Sequence, residues 1–167
     1  IVVWRFHDHW HMHRPDGITT GFLKLIGWEG YKDTQEDYIV NLPTTPIKDL
    51  IAQLKTRLRM PTVRVVGVPE MTCRRVGLVL GAMPGDWQIK AFEQGKVDTL
   101  ICGETTEWQT CEYVRDSAAT PNPKALIVLG HEKSEEAGMR YLVDWLRPMI
   151  PGVPITHVPA GDPLRFV

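Results

Sequence analysis

The feature that most constrains this chain is a recurring punctuation: short apolar runs of strand length, each closed by glycine and followed by a helix-like stretch. Thr99-Leu100-Ile101-Cys102 ends at Gly103-Glu104, and residues 105–118 after it are predicted to be helical. Residues 124–129, Lys-Ala-Leu-Ile-Val-Leu, end at Gly130-His131. Residues 134–147 then carry Met139, Leu142, Val143 and Leu146 on one helical stripe, which Pro148 stops. Strand, helix, strand, helix implies right-handed parallel crossovers with helices laid on a sheet. The expected fold is therefore α/β, a mixed, largely parallel sheet with helices packed on it. Ligand sites in such sheets lie beyond the carboxyl ends of strands, where Glu104 and His131 both stand.

The earlier part of the chain fits the same class. Residues 1–6 are β-branched and aromatic and are predicted to be a strand. A chain that opens inside a strand is expected to be the C-terminal part of a longer protein. Pro15-Asp16-Gly17 signals a turn, and residues 17–26 predict a helix with Ile18, Phe22, Leu25 and Ile26 on one face and Gly27 at its end. Residues 28–37 read as a polar loop and 38–42 as a short strand closed by Pro43. Thr45-Pro46 predicts a helix start in which Thr45 caps free amides. Ile47, Leu50, Ile51, Leu54 and Leu58 then form one stripe. Residues 62–66, 75–80 and 153–158 are further strand candidates, and 86–93 a short helix ended by Gly95.

Composition narrows the partners. The chain has 167 residues, 43% of them hydrophobic, and a formal net charge of -1, which fits a folded domain and argues against a dedicated nucleic-acid surface. No apolar run is long enough to cross a bilayer. The three cysteines, Cys73, Cys102 and Cys111, match no zinc spacing and read as structural thiols of a reducing, cytoplasmic protein.

The residues that could carry chemistry fall in three places. Four of the six histidines (His7, His9, His11 and His13) stand at alternate positions between Phe6 and Pro15, interleaved with Asp8 and followed by Asp16. Neutral imidazoles suit Zn, Fe, Co or Ni, and nearby carboxylates widen the choice to Mn. If the first strand continues, period-two alternation puts all four rings on one face; an ordinary polar loop is the simpler alternative. His131 and Glu135 stand four residues apart at the start of a helix, a spacing that brings both to one side of a turn. Acidic residues are common there in any protein. Glu104 ends the preceding strand and could be a ligand, a general base or a partner that orients a histidine. Glu107 reads as a solvated acid of the helix start, and Trp108 as a packing residue.

These segments resemble a known family. Asp98-Thr-Leu-Ile-Cys-Gly-Glu104 and Leu126-Ile-Val-Leu-Gly-His131-Glu-Lys-Ser-Glu135 look like the C-terminal half of the NIF-three-like proteins, dinuclear metal centre proteins often described as GTP cyclohydrolase 1 type 2 homologues. The opening stretch Trp4-Arg-Phe-His7-Asp8-His9-Trp10-His11, with Asp16-Gly17 and Ile26-Gly27, resembles that family's middle ligand segment. The resemblance covers most of the chain, and its specific part is Gly-His followed by Glu four residues on. It makes residues 1–167 the C-terminal part of an α/β metal-binding domain. It implies His131 and Glu135 as ligands of two divalent ions, joined by His7, Asp8 and His11, with the family's aspartate falling on Asp8, His11 or Asp16. It also implies a homohexamer of the complete protein. The family's adjacent His-His pair is absent from this chain, and where many members carry histidine after the strand that ends in Gly-Glu, this chain has Glu107 and Trp108.

Two functions follow from this resemblance. One is a metal-dependent hydrolase acting on a small molecule, with Glu104 as base or outer partner; the other is a non-catalytic metal-binding scaffold or adaptor. The family label points to a purine nucleotide ring, but no P-loop is present.

Overall fold

The computed structural model describes residues 1–164; residues 165–167 of the expected domain lie outside them. One sheet holds β1 (Ile39–Pro46), β2 (Arg64–Val66), β3 (Thr72–Val79), β4 (Thr99–Cys102) and β5 (Ala125–Val128), in the spatial order β1-β3-β4-β5-β2. The three central strands run parallel, and each edge strand is antiparallel to its neighbour. The fold is thus the expected mixed α/β sheet, parallel at its centre.

Period-two alternation explains why the central strands read as unbroken apolar runs. Ile101, Ala125, Ile127 and Leu129 face one side of the sheet, and Leu100, Cys102, Leu126 and Val128 face the other. Against the first face pack α2 (Gly17–Ile26), α3 (Ile47–Leu58) and α6 (His131–Leu146). Against the second pack α4 (Gly85–Gln94) and α5 (Glu112–Ser117), which continues from a π-helical turn at Glu107–Cys111. α2 and α6 cross very closely. A Cβ on Gly138 would stand 2.3 Å from the Cα of Ile18, so only glycine permits that approach.

Four expectations are corrected. Residues 1–5 form no strand and are exposed; α1 (His7–Met12) begins directly after Phe6. The edges of the sheet are β1 and β2; residues 1–6 pair with neither, and β propensity alone does not hold a strand. Residues 153–158 form no strand either. Pro154 removes a backbone donor within that stretch, and Pro151 and Pro159 flank it. Thr45 caps nothing. β1 runs on through Pro43 with a register irregularity, the Thr45 hydroxyl donates to the Pro43 carbonyl, and Pro46 sits at the helix N-cap. Trp108 does not pack on the core but is 77% exposed. Among the described residues, no helix is long and apolar enough to cross a membrane.

Candidate metal centre

The site forms where α1 meets the start of α6, at the carboxyl end of the parallel strands. Trp10 sets the position of α1. It is fully buried, its indole N–H donates to the Gly138 carbonyl at 2.9 Å, and its ring packs near Tyr141 and Trp145 of α6. With Trp10 turned inward, His7 and His11, one helical turn apart, face Glu135.

Glu135 is buried, while most carboxylates in the chain are exposed. It lies against Gly81, the residue that follows Leu80 at the end of the β3 segment. Gly81 has a φ of +69°, and a Cβ there would sit 2.0 Å from Glu135 Oε1. Glycine is therefore required twice over, for the backbone conformation and for the space. Ser134, next to Glu135 and fully buried, accepts a hydrogen bond from the Gly81 amide and donates to the His131 carbonyl. α6 is thereby tied to the end of the sheet.

Three histidines surround this carboxylate in one pattern. Nε2 of His7 is 2.9 Å from Glu135 Oε2, Nε2 of His11 is 3.3 Å from Oε1, and Nε2 of His131 is 3.2 Å from Oε2. On the far side of each ring a second carboxylate meets Nδ1: Asp8 on His7 at 3.2 Å, Asp16 on His11 at 3.0 Å, and Glu104 on His131 at 2.6 Å. A carboxylate on Nδ1 fixes a ring's orientation and leaves Nε2 to bind, the arrangement common behind metal-ligating histidines. His7, His11 and Glu135 each offer a ligand atom within 4.8 Å of the others and could hold a metal ion. His131 touches Glu135 but stands outside that tight group.

The electrostatics fit the same arrangement. Hydrogen bonds to Asp16 and then to Glu135 raise the pKa of His11 to about 9. The hydrogen bond to Glu104 raises that of His131. Burial pushes the Glu135 carboxyl up, but hydrogen bonds from His11 and His7 outweigh it and hold the pKa below the ordinary value. Nε2 of His11 and of His131, the atoms a cation would take, both face Glu135, and both rings hold a proton more strongly than a free imidazole.

Of the expected site residues, the structure brings His7, His11, His131 and Glu135 together. Asp8 and Glu104 stand one step out, each against a histidine. His9 and His13 are not in the cluster. His9 stacks on Phe6, and the Nδ1–H of His13 donates to the Pro15 carbonyl. Sequence reasoning missed Gly81, Ser134 and the anchoring role of Trp10. A usable signal was that Gly81 follows an apolar run just as Gly103 and Gly130 do.

A family model described as Duf34/NIF3 (NGG1p interacting factor 3) matches residues 1–161. Three solved structures are similar. Protein SA1388 of Staphylococcus aureus is 19% identical at a TM-score of 0.62, over 77% of this chain and 41% of that one. Protein ybgI is 22% identical at 0.64, over 83% and 54%. Reduced HcgD of Methanocaldococcus jannaschii is 13% identical at 0.61, over 80% and 52%. At such identities they share the fold, and this chain spans about half or less of each. No curated protein matches it. The family match covers nearly the whole chain and agrees with the fold and the histidine–glutamate cluster: the chain belongs to the Duf34/NIF3 family.

Proposed function

We propose that this protein is a metal-dependent hydrolase with a dinuclear centre. One divalent ion would be held by His7, His11 and Glu135, and the second by His131 and the shared Glu135 carboxylate. The observation that carries this reading is the convergence within 4.8 Å of His7 and His11 with Glu135, which lies more than 120 residues further along the chain. The donor set of imidazoles and carboxylate suits Zn, Mn, Fe, Co or Ni. Ions bound there supply Lewis acidity and lower the pKa of water, the two contributions that hydrolysis of a carbonyl or phosphoryl group requires.

The chain's own residues orient and tune. Asp8, Asp16 and Glu104 would hold the three rings with Nε2 presented to the ions. Glu104 is a positioning residue in this reading, because its carboxylate contacts the His131 ring and not the central group. Gly81 fixes the Glu135 carboxylate from behind. A homohexamer of the complete protein rests on the family resemblance and is tested by light scattering of the full-length form.

The test is a calorimetric titration of the chain with Zn, Mn and Co, alongside assays of ester, amide and phosphoester hydrolysis with and without chelator. Metal binding that is lost in Glu135→Gln, together with chelator-sensitive turnover, is the expected result. Turnover indifferent to chelator, or undiminished metal binding in that variant, overturns the proposal.

A further inference from the structure

A cavity of about 510 Å³ opens beside the histidine cluster, in the size range of small-molecule sites. His11 and Asp16 belong to its lining and to the cluster. The rest of the wall is of a different kind. Leu80 and Met83 make it apolar, Tyr38 adds a phenol ring, and Trp87 and Lys90 come from α4. Trp87, Lys90 and Gln94 are spaced three, then four residues apart, so α4 turns one stripe toward the cavity. Trp87 is 58% exposed, less than Trp108 at 77%, and it is the exposed tryptophan whose ring lines this cavity. The Lys90 ammonium lies over the Trp87 ring, 5.8 Å from its centroid, and 3.7 Å from Asp86.

We propose that this cavity takes a flat aromatic ring carrying one negative charge, stacked on Trp87 and paired with Lys90. The inference rests on the hydrolase reading, since it places the scissile group of such a molecule at the His11 end. An exposed indole in a small-molecule cavity offers a stacking face. Among the described residues, Lys90 is the one Lys or Arg in the lining, and Asp86 already shares it. A group of several charges, such as a polyphosphate, normally meets several cationic groups or an arginine fork, and the α4 side of this cavity supplies a single ammonium. The chemistry on that side suits an aromatic monocarboxylate.

The test uses the 167-residue chain without metal, titrated at pH 7.5 by ligand-observed NMR with 1-naphthoate, 1-naphthalenemethanol, cyclohexanecarboxylate and 1-naphthyl phosphate. Naphthoate should bind most tightly. Trp87→Ala should weaken naphthoate and naphthalenemethanol alike, by about tenfold. Lys90→Gln should weaken naphthoate by about threefold and leave the neutral alcohol unchanged. Zn titration of the same variants should match the parent, which separates failure here from failure of the metal reading. Three results would overturn the proposal: no binding of naphthoate, equal binding of cyclohexanecarboxylate, or tighter binding of the phosphate. Undiminished naphthoate affinity in Lys90→Gln would do the same, because the charge would then be held at the His11 end.

Discussion

α6 brings His131 and Glu135 to the site on 16 residues, with Ser134, Glu135, Ala137 and Gly138 buried and Ser134 tied to the end of the sheet. α1 brings His7 and His11 on six residues, of which Trp10 alone is buried. A helix of that length has no stability of its own in water. The two halves of one site are therefore held by different means. One is part of the fold's framework, and the other is a short segment hung on a single indole. The comparison teaches that the geometry at His7 and His11 depends on packing some distance from any ligand atom.

The hardest test of that contrast is Trp10→Ala. Removing a fully buried indole is expected to cost about 3–5 kcal/mol, read by denaturant unfolding. Zn binding should fail even under conditions where the variant stays folded. His131→Ala should do the opposite, with stability within about 0.5 kcal/mol of the parent and metal occupancy clearly reduced. His157→Ala, at a half-buried position that shares a cavity wall with Glu135 but lies outside the group of His7, His11 and Glu135, should change occupancy little. Full Zn binding by folded Trp10→Ala would show that α1 docks without its anchor.

Gly81→Ala probes the framework side. The methyl would meet Glu135 at 2.0 Å on a backbone with φ of +69°, so the cost should be about 1–3 kcal/mol. The Glu135 carboxylate must shift, and Zn affinity should fall with it. Unchanged stability and affinity would mean that the end of β3 does not fix the ligand.

What the sequence showed of this division is uneven, for physical reasons. Residues 99–102 and 125–128 lie where local pattern and tertiary burial agree, since both sheet faces are covered, and the ligand pair of α6 follows directly from such a strand. The opening segment carries the same kinds of residue in its first six positions but finds no neighbouring strand, and the chain turns into a helix at His7. That change converts a four-histidine face into a two-histidine face, with His9 and His13 turned elsewhere. The ligand chemistry of the segment was visible in its residues, while the selection among them needed Trp10 to be seen buried. Thr45 and Trp108 fail similarly: a capping residue absorbed into a strand and an aromatic residue left in solvent are decided by neighbours distant in sequence.

Asp16→Asn is a milder probe of the α1 half. Oδ1 of Asp16 accepts from the Ile18 and Thr19 amides and caps α2, while Oδ2 meets His11. Asparagine caps as well as aspartate, so stability should move by only a few tenths of a kcal/mol. An amide turned toward His11 would donate to Nδ1 and push the ring proton onto Nε2, the wrong tautomer for a ligand. Zn affinity should fall about 10- to 100-fold. Glu104→Gln tests the α6 half in the same way through His131, and equal losses in the two variants would place both rings on the metal.

The smallest expected effect is a pH dependence whose sign metal reverses. In the metal-free protein His11 titrates at about 9 against an ordinary value of 6.5. A raised folded-state pKa contributes stability that is fully present below about 6.5 and is lost as pH climbs through 9. His131 is shifted in the same direction. Both rings are partly exposed, so screening should hold the contribution to about 1 kcal/mol or less. The metal-free melting temperature should therefore drift down between pH 6.5 and 8.5. Zn competes with the proton on Nε2, so at a fixed micromolar excess its stabilisation should grow over that interval, and the gap between the two melting curves should widen. His11→Ala and His131→Ala divide the effect between the helices. If the gap widens as much without His11 as with it, the α6 half holds the metal by itself and α1 is only its neighbour.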